Sequence, residues 1–310
     1  ILSGEGFTSL FAINPTNGDI YASDNKQGIR KLDAKTGLVS TVIVGGTSNL
    51  PVNGALPATP MMPVGNYNNL NFDSKGRLYI GVQGVGGVAI VIYQIDFANS
   101  WVRQYAGGGT ADDEGVASTT LQVGSVGSFD EQDSLYVWIY CGGSVVDSTT
   151  GQTVGKRIIK IIQNSDGTPG TTSRIIGNCT LANPSSGNTA YSQPSSSTPY
   201  PGLSTIIPWD NGNKIVVIPY GNWARYKIIN GTVYSSNISA PVGPTGLGIY
   251  NPNDGLIYRT NGSSVEKVSI NISGANGDTA TTVFSYSSST AGCTADGTTT
   301  ANYCGLINTQ

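Results

Sequence analysis

Short runs of alternating apolar and polar residues, separated by turn-forming residues, cover most of the chain. The first clear set lies between residues 8 and 44, where Asn-Pro, Asn-Gly, Asn-Lys-Gln-Gly and Lys-Thr-Gly turns divide four such runs. A period of two residues is typical of strands that bury one face, and these turn residues are typical of hairpins. The pattern therefore predicts a four-stranded antiparallel sheet.

The same pattern returns along the chain at a period of just under sixty residues. The pair Ile20-Tyr21 recurs as Leu78-Tyr79 and again as Leu135-Tyr136, 58 and then 57 residues further on. A fourth unit covers residues 203–234 and a fifth covers 246–284. Such regular self-similarity indicates repeated units of one supersecondary structure.

Four-stranded units of this kind have two apolar faces, and each unit buries both faces when its neighbours pack around a common axis. We therefore predict an all-β fold, a β-propeller of four-stranded blades over residues 1–286, in preference to a β-sandwich. Five units are visible, so we expect five blades; six would require strands from residues 1–7 or from the tail at 287–310.

Histidine is absent from the whole chain, and only 11% of the residues are charged. This absence excludes Ser-His-Asp and Cys-His catalytic arrangements and imidazole metal sites. The net charge of −3 leaves no basic patch for nucleic acid, and no apolar run reaches the length of about 18 residues needed to span a membrane. We expect no cofactor, no nucleic-acid partner and no membrane span.

The chain has four cysteines and no Cys-x-x-Cys pair: Cys141, Cys179, Cys293 and Cys304. We expect the disulfides Cys141–Cys179 and Cys293–Cys304, because each closes a modest local loop; the other two connectivities stay open. The second bond would staple the Ser/Thr-rich tail. Disulfides indicate an oxidising compartment, and a first residue other than Met is typical of a processed secreted chain.

Five Asn-x-Ser/Thr sequons are candidate N-glycosylation sites: Asn178, Asn230, Asn237, Asn261 and Asn271. A chain rich in Asn, Ser and Thr also produces sequons by chance. The even cysteine count points to the same compartment as the sequons do, so we expect a glycoprotein located outside the cell or on its surface.

The first unit closely resembles an NHL repeat, with Asp-Ile-Tyr-Ala-Ser-Asp at 19–24 and Gly-Ile-Arg-Lys-Leu-Asp at 28–33. The Gly-rich acidic stretch at 107–119 and the segment 54–59 resemble the connections that lead into the next NHL blade. The resemblance is close over residues 8–120, fair over 240–284 and weak between 140 and 235.

The resemblance implies a propeller that presents a binding or assembly surface. A minority of NHL relatives are enzymes, among them the peptide-amidating lyases and the strictosidine-synthase-like proteins. The lyases use histidine-bound zinc, and a chain without histidine has no counterpart of those ligands. The resemblance therefore favours the secreted, non-enzymatic branch.

Carboxylates are the remaining candidates for chemistry. Asp112, Asp113 and Glu114 form a compact acidic run that could bind Ca²⁺ together with backbone carbonyls, but a solvated turn between blades explains them as well, and we favour the turn. Asp24, Asp33 and Asp73 recur at blade positions, where we expect them to fix turns by accepting hydrogen bonds from backbone amides.

Aromatic residues could stack on sugars, but four tyrosines recur at equivalent strand positions, which favours the blade core: Tyr21, Tyr79, Tyr136 and Tyr258. The leading hypothesis is a secreted, glycosylated structural or interaction protein, a subunit of an extracellular fibril, coat or surface appendage. Its partners would be copies of itself and covalent glycans, and low charge favours close packing of copies. The alternatives are a lectin-like carbohydrate-binding propeller and a carboxylate-based glycosidase or lyase.

Overall fold

The computed structural model describes residues 7–24, 27–63, 67–83, 90–140, 156–177, 205–218, 226–235, 249–251, 255–261, 264–271 and 279–287. Within these ranges the regular structure consists of β-strands and one turn of 3-10 helix at Ser118–Thr120. The all-β fold class predicted from the alternation is confirmed. None of the described residues belongs to a helix that is long and apolar enough to cross a membrane.

The strands form successive sheets, each with four antiparallel strands that follow one another in the chain, and two of the sheets have a short fifth strand in addition. Sheet I contains β1 (Phe7–Ile13), β2 (Ile20–Asp24), β3 (Gly28–Leu32) and β4 (Val39–Gly46). Two short strands follow, β5 (Asn53–Ala55) and β6 (Met61–Pro63). Sheet II contains β7 (Tyr67–Phe72), β8 (Leu78–Gln83), β9 (Ile90–Asp96) and β10 (Trp101–Gly107).

Sheet III contains β11 (Val123–Phe129), β12 (Leu135–Tyr140), β13 (Lys156–Gln163) and β14 (Pro169–Ile176). Sheet IV contains β15 (Thr205–Trp209), β16 (Lys214–Ile218), β17 (Tyr226–Ile229) and β18 (Thr232–Ser235). Sheet V contains β19 (Ile249–Asn251), β20 (Leu256–Asn261), β21 (Ser264–Asn271) and β22 (Thr279–Ser287). Each repeat unit identified in the sequence therefore coincides with one sheet.

The first strands of sheets I to IV are neighbours in order, with β1 beside β7, β7 beside β11, and β11 beside β15. Side-chain amides join two of them directly: Asn69 Nδ2 donates to the Val126 carbonyl at 3.0 Å, and Asn71 Nδ2 donates to the Gly127 carbonyl at 3.1 Å. The first strand is thus the inner edge of each of these sheets, and the fourth strand is the outer edge.

The hydrophobic core lies between successive sheets. One cluster joins sheets I and II and includes Ile29, Ile43 and Leu70; a second joins sheets II and III, and a third joins sheets III and IV. Because sheets II and III each take part in two of these clusters, they bury both faces, as the two-faced apolar pattern of the units requires. Each large aliphatic side chain buried in this way contributes about 1.5–3 kcal/mol to stability.

A one-residue β-bulge recurs in the fourth strand. The register with the third strand skips one residue in sheets I, II, III and V, and the extra residues are Val42, Tyr105, Ile175 and Val283. A bulge bends a strand and increases its twist. Because the bulge marks the same place in each outer strand, residues of different sheets can be matched by their distance from it.

The linker between sheets I and II makes a detour along the outer edges of both sheets. β5 pairs antiparallel with the outer strand β10 of sheet II, and β6 then pairs parallel with the outer strand β4 of sheet I. Only after this detour does the chain enter the inner strand β7. We call residues 52–63 clasp I–II.

The linker between sheets II and III follows the same route, and we call residues 109–121 clasp II–III. Its Gly115 amide donates to the Thr172 carbonyl of β14 at 3.3 Å, and the Ser118 hydroxyl donates back to the Tyr105 carbonyl of β10 at 2.6 Å. Gly54 of clasp I–II faces Val102 in the same way. Val102 and Thr172 each lie three residues before their bulge, so the two clasps occupy equivalent positions.

Candidate functional site

The acidic run predicted as a Ca²⁺ candidate lies in clasp II–III, against two arginines of sheet III. Asp113 Oδ2 lies 3.3 Å from Arg157 Nη1 and 3.4 Å from Arg174 Nη1. Asp112 Oδ1 lies 3.6 Å from Arg157 Nη1, and Glu114 Oε2 accepts the Arg174 backbone amide at 2.9 Å. We call these five residues the acidic clasp cluster.

The acidic clasp cluster is organised as an ion-pair network. The side chains of Arg157 and Arg174 are only 10% and 12% exposed, whereas the three acidic side chains are 30–41% exposed. Two guanidinium groups offset most of the negative charge that Ca²⁺ would need. Among the residues that the structure describes, no group of three or more His, Cys, Asp or Glu side chains is arranged to hold a metal ion.

Sheets II and III each bury an aspartate at the turn between their first and second strands. The Oδ1 atoms of Asp73 and Asp130 accept backbone amides of their own turns, and the Oδ2 atoms accept a tyrosine hydroxyl six residues further along, Tyr79 at 3.1 Å and Tyr136 at 3.2 Å. Both aspartates are fully buried. In sheet I the corresponding residue is Asn14, which accepts the Thr16 amide.

A cation accompanies each buried carboxylate. Arg77 Nε donates to Asp73 Oδ2 at 2.6 Å, and Lys160 Nζ lies 2.8 Å from Asp130 Oδ2. Burial raises the pKa of Asp73 above its ordinary value, while the Arg77 guanidinium limits that rise. A buried carboxylate with these partners is stabilised as a turn element.

The tyrosines of these turns stay protonated. Burial, followed by the charge of Asp19, raises the pKa of Tyr21 to about 12. Burial raises the pKa of Tyr79 and of Tyr136 well above the ordinary value, and the neighbouring aspartate adds to each rise. At neutral pH these hydroxyls donate hydrogen bonds and supply neither a general base nor a nucleophile.

The same turns connect neighbouring sheets. The Ser74 amide and hydroxyl donate to the two carboxylate oxygens of Asp133, each at 2.7 Å, which joins sheets II and III. The Glu131 carboxylate accepts the amides of Asp210 and Asn211, each at 2.9 Å, which joins sheets III and IV. The local pattern alone did not single out Asp130, Glu131 and Asp133; the recurring six-residue spacing from Asp73 to Tyr79 could have identified Asp130.

The turn aspartates predicted from the sequence have the expected structural role. Asp24 Oδ1 accepts the Gln27 amide at 3.0 Å. Asp33 Oδ1 accepts the Lys35 and Thr36 amides at 3.0 and 2.9 Å, and the bonds from Thr36 lower the pKa of Asp33. These hydrogen bonds, together with those of Asp73, confirm the prediction.

Three of the four recurring tyrosines lie in the core, as predicted: Tyr21 is 5% exposed, and Tyr79 and Tyr136 are 0% exposed. The side chain of Tyr258 lies outside the described part of the structure. Trp138 is buried, and Trp101 is half-buried with the Arg103 guanidinium 3.8 Å from its ring centroid. Trp223 and the side chain of Trp209 are likewise outside it.

All four cysteines lie outside the described residues, as do the sequon asparagines Asn178 and Asn237. Asn261 ends β20 and Asn271 ends β21. Asn230 is exposed at the β17–β18 turn, where its φ is 46° and that of Gly231 is 73°. The disulfides and the glycosylation sites therefore stay predictions.

No protein-family model and no curated protein sequence matches the chain. The resemblance to NHL repeats consequently stays a prediction from the residues that carry it.

Several solved structures are similar at a low level. A protein of unknown function from Bacteroides thetaiotaomicron is 14% identical, with a TM-score of 0.40 over 72% of this chain and 45% of that one. TolB from Acinetobacter baumannii is 13% identical, with a TM-score of 0.42 over 85% of this chain and 51% of TolB. A proposed oxidoreductase (glucose dehydrogenase) from Thermus thermophilus is 13% identical, with a TM-score of 0.40 over 92% and 84%. The chain spans about half the length of the first two, and similarities this low carry no functional information for it.

Proposed function

We propose that the chain is a secreted, glycosylated structural protein without catalytic activity. In this proposal it forms a five-bladed NHL-type β-propeller and serves as a subunit of an extracellular fibril, coat or surface appendage. Its partners are further copies of the same chain. The propeller arrangement is supported by successive four-stranded sheets that share cores and place their first strands side by side.

The observation that carries the non-catalytic part of the proposal is the use of the carboxylates. Each Asp and Glu whose side chain is described fixes a turn, joins two sheets or pairs with a Lys or Arg: Asp19, Asp24, Asp33, Asp73, Asp96, Asp112, Asp113, Glu114, Asp130, Glu131, Asp133, Asp166 and Asp210. A glycosidase needs a facing pair of carboxyl groups committed to the substrate. The described residues supply scaffold contacts instead.

The surface chemistry supports assembly. With 11% charged residues and a net charge of −3, copies of the chain repel one another little and lose few hydrated charges on contact. Burial of Tyr21, Tyr79 and Tyr136 also leaves three of the four recurring aromatic positions inaccessible to sugars, which favours the structural role over the lectin-like alternative.

The proposal is tested on the full chain secreted from a glycosylating eukaryotic host. We expect polymers or ordered arrays by negative-stain electron microscopy and no turnover of polysaccharides or lactones, with or without Ca²⁺. A monodisperse monomer at all concentrations would overturn the assembly, and turnover of any of these substrates would overturn the structural role.

Glycosylation is tested at Asn230, the sequon asparagine with a described, exposed turn. The intact mass of Asn230→Gln should fall by one glycan relative to the unmodified sequence. The matched control is Asn213→Gln, which removes an exposed asparagine outside any sequon and should keep the full glycan mass. If the glycan mass of Asn230→Gln equals that of the unmodified sequence, this site is removed from the proposal.

A further inference from the structure

Three polar residues of sheet II interrupt a row of side chains that is the same in sheets I and III. The row consists of a lysine on the third strand, the serine opposite it on the fourth strand, and the aliphatic bulge residue two positions further on: Lys31, Ser40 and Val42 in sheet I, and Lys160, Ser173 and Ile175 in sheet III. In sheet II the same positions hold Gln94, Arg103 and Tyr105. Sheet II therefore departs from the repeat at all three positions.

These positions face the next sheet along the chain. Val42 packs against the cluster that joins sheets I and II, and Ile175 packs against the one that joins sheets III and IV. Tyr105 belongs to the cluster that joins sheets II and III. Gln94 lies directly opposite Tyr79 of the same cluster, and residues directly opposite each other share a face of the sheet. The departure thus lies inside the interface between sheets II and III.

The three replacements carry buried polar atoms that the described part of the protein does not pair. Gln94 and Tyr105 are 1% and 0% exposed, and neither Gln94 Oε1 nor the Tyr105 hydroxyl has a hydrogen-bond partner there. Arg103 Nε, on the residue opposite Gln94, is also buried without such a partner. Leaving a buried polar group unpaired is costly, so native proteins seldom leave three such atoms together.

Rearranging the neighbouring side chains does not satisfy these atoms. Gln94 Nε2 donates to the Tyr79 hydroxyl and to the Gly167 carbonyl, the latter at 3.0 Å. Gln163 Nε2 donates to the same hydroxyl at 2.7 Å, and Gln163 Oε1 accepts Arg77 Nη2. Turning the Gln94 amide over would point its oxygen at the Gly167 carbonyl, which is itself an acceptor. The partner that these atoms need must therefore come from outside the chain.

The Tyr105 hydroxyl is a hydrogen-bond donor in this interface. Burial raises the pKa of Tyr105, and the nearby Gln163 side chain offsets only part of that rise, so the hydroxyl stays protonated. The Tyr105 ring meets the Tyr79 ring edge-on, with 4.9 Å between their centroids. Sheet III covers this side with Gly167, where a Cβ would collide with Arg77 Nη1. The hydroxyl is thus held next to the Tyr79 network without a direct bond to it.

We propose that one internal water molecule is a fixed part of the interface between sheets II and III and bridges the Tyr105 hydroxyl and Gln94 Oε1. It accepts hydrogen bonds from the Tyr105 hydroxyl and from Arg103 Nε, and it donates one to Gln94 Oε1. An anion cannot donate to that oxygen, and a metal cation cannot accept from Arg103 Nε, so water is the small ligand that suits all three atoms. This site goes beyond the proposed function, because it uses sheets II and III alone and does not depend on assembly.

The water connects the outer strand β10 to the buried turn of sheet II. Lys160 Nζ lies 2.8 Å from the turn aspartate Asp130 in sheet III, an ion pair that an uncharged glutamine cannot form. In sheet II, Arg77 supplies the cation for Asp73 instead. The bridge then runs from Tyr105 through the water to Gln94, and from there through the Tyr79 hydroxyl to Asp73.

The site is tested first by a density map that resolves ordered waters, from crystals of the full secreted chain. We expect one peak at about 2.6–3.2 Å from both Tyr105 Oη and Gln94 Oε1. Crystals soaked in bromide or in rubidium salts should show no anomalous peak at this position. The absence of any peak, or a bromide or rubidium peak, would overturn the water.

The variant Tyr105→Phe tests the proposal by the sign of its effect. If the water bridges the hydroxyl, the substitution removes a hydrogen bond and should lower Tm by about 2–4 °C. If the hydroxyl is unpaired, its removal relieves a desolvation cost and raises Tm. An unchanged or higher Tm would therefore contradict the bridge.

A double-mutant cycle tests whether the two residues share one ligand. Gln94→Met removes the acceptor at a similar side-chain length. Combined with Tyr105→Phe, it should lower Tm by less than the sum of the two single losses, because either substitution alone already breaks the bridge. The matched control combines Gln94→Met with Tyr136→Phe, which removes a hydroxyl bonded to Asp130 in the interface between sheets III and IV, and these losses should add. Additive losses in both pairs would rule out a shared water.

Discussion

Clasp I–II and clasp II–III follow the same route between sheets but are held by different chemistry. Clasp I–II has no charged residue and is attached by the backbone ladders of β5 and β6. Clasp II–III has one parallel bridge within itself, Ala111 to Leu121, and it attaches to sheet III through its three acids and two arginines and through hydrogen bonds between Gly115, Val116 and Thr172. The shared route shows that backbone geometry fixes where a clasp lies, while its side chains are free to differ.

The comparison explains the acidic run. An Asp-Asp-Glu sequence in an isolated loop would attract attention as a metal site. In clasp I–II the equivalent position is held by the uncharged strand β5, which pairs with the outer edge of sheet II. The acidic run lies against the outer edge of sheet III in the same way. Ion pairs of the carboxylates take the place of most of the backbone ladder that β5 forms in clasp I–II. Their first role is therefore to attach clasp II–III to sheet III.

The largest expected effect comes from reversing one charge under clasp II–III. Arg174→Glu places a third carboxylate beside Asp113 and Glu114 and should lower the free energy of unfolding by about 2–3 kcal/mol, measured by urea denaturation. Its counterpart Gln104→Glu adds a charge beside the uncharged clasp I–II and removes the hydrogen bond from Gln104 Nε2 to the Gly107 carbonyl, so it should cost about 1 kcal/mol. Equal losses would mean that the ion pairs do not distinguish the clasps.

The next effect tests what the clasps share. Gly54→Val and Gly115→Val each force a β-branched residue into positive φ, although no atom lies within 4 Å of the new Cβ at either site. Each should lose about 1–2 kcal/mol of stability by the same measurement. If only one of the two substitutions is destabilising, the clasps are not equivalent.

A smaller difference between the two clasps is expected in how their contributions to stability depend on salt. The ion pairs of Asp113 are partly exposed, so Asp113→Asn should lose about 0.5–1 kcal/mol at low ionic strength and less in 1 M NaCl. The control Asn53→Ser changes clasp I–II without changing its charge, and its effect should be the same at low and high ionic strength. A salt-independent effect of Asp113→Asn would contradict electrostatic attachment.

The smallest expected effect is that of calcium. Because Arg157 and Arg174 occupy the inner side of the acidic run, millimolar Ca²⁺ or a chelator should leave Tm within the scatter of replicate scans. A rise in Tm with Ca²⁺ that disappears in Asp113→Asn would establish the metal site instead of the attachment role.

The sheets could be predicted from the sequence because their signals are local. Alternation and Asn-Gly turns lie within a few residues of each other, and the repeat then confirmed each unit by comparison with the others. The role of Asp33 was predictable for the same reason, since the amides that it binds are two and three residues away.

The clasps and the acidic clasp cluster could not be predicted in the same way. β5 and β6 are three residues long and contain glycine or proline, so they show no alternation. Arg157 and Arg174 lie more than forty residues beyond the acids that they bind, and Ser74 lies 59 residues from Asp133. Such pairs are set by how sheets pack, which no local pattern records.

The most direct test of the structural role is an electron cryomicroscopy map of the full chain secreted from a glycosylating host. The account predicts repeating copies in a continuous polymer or array, with additional density on sequon asparagines such as Asn230. Dispersed single copies without glycan density, at every concentration examined, would contradict it.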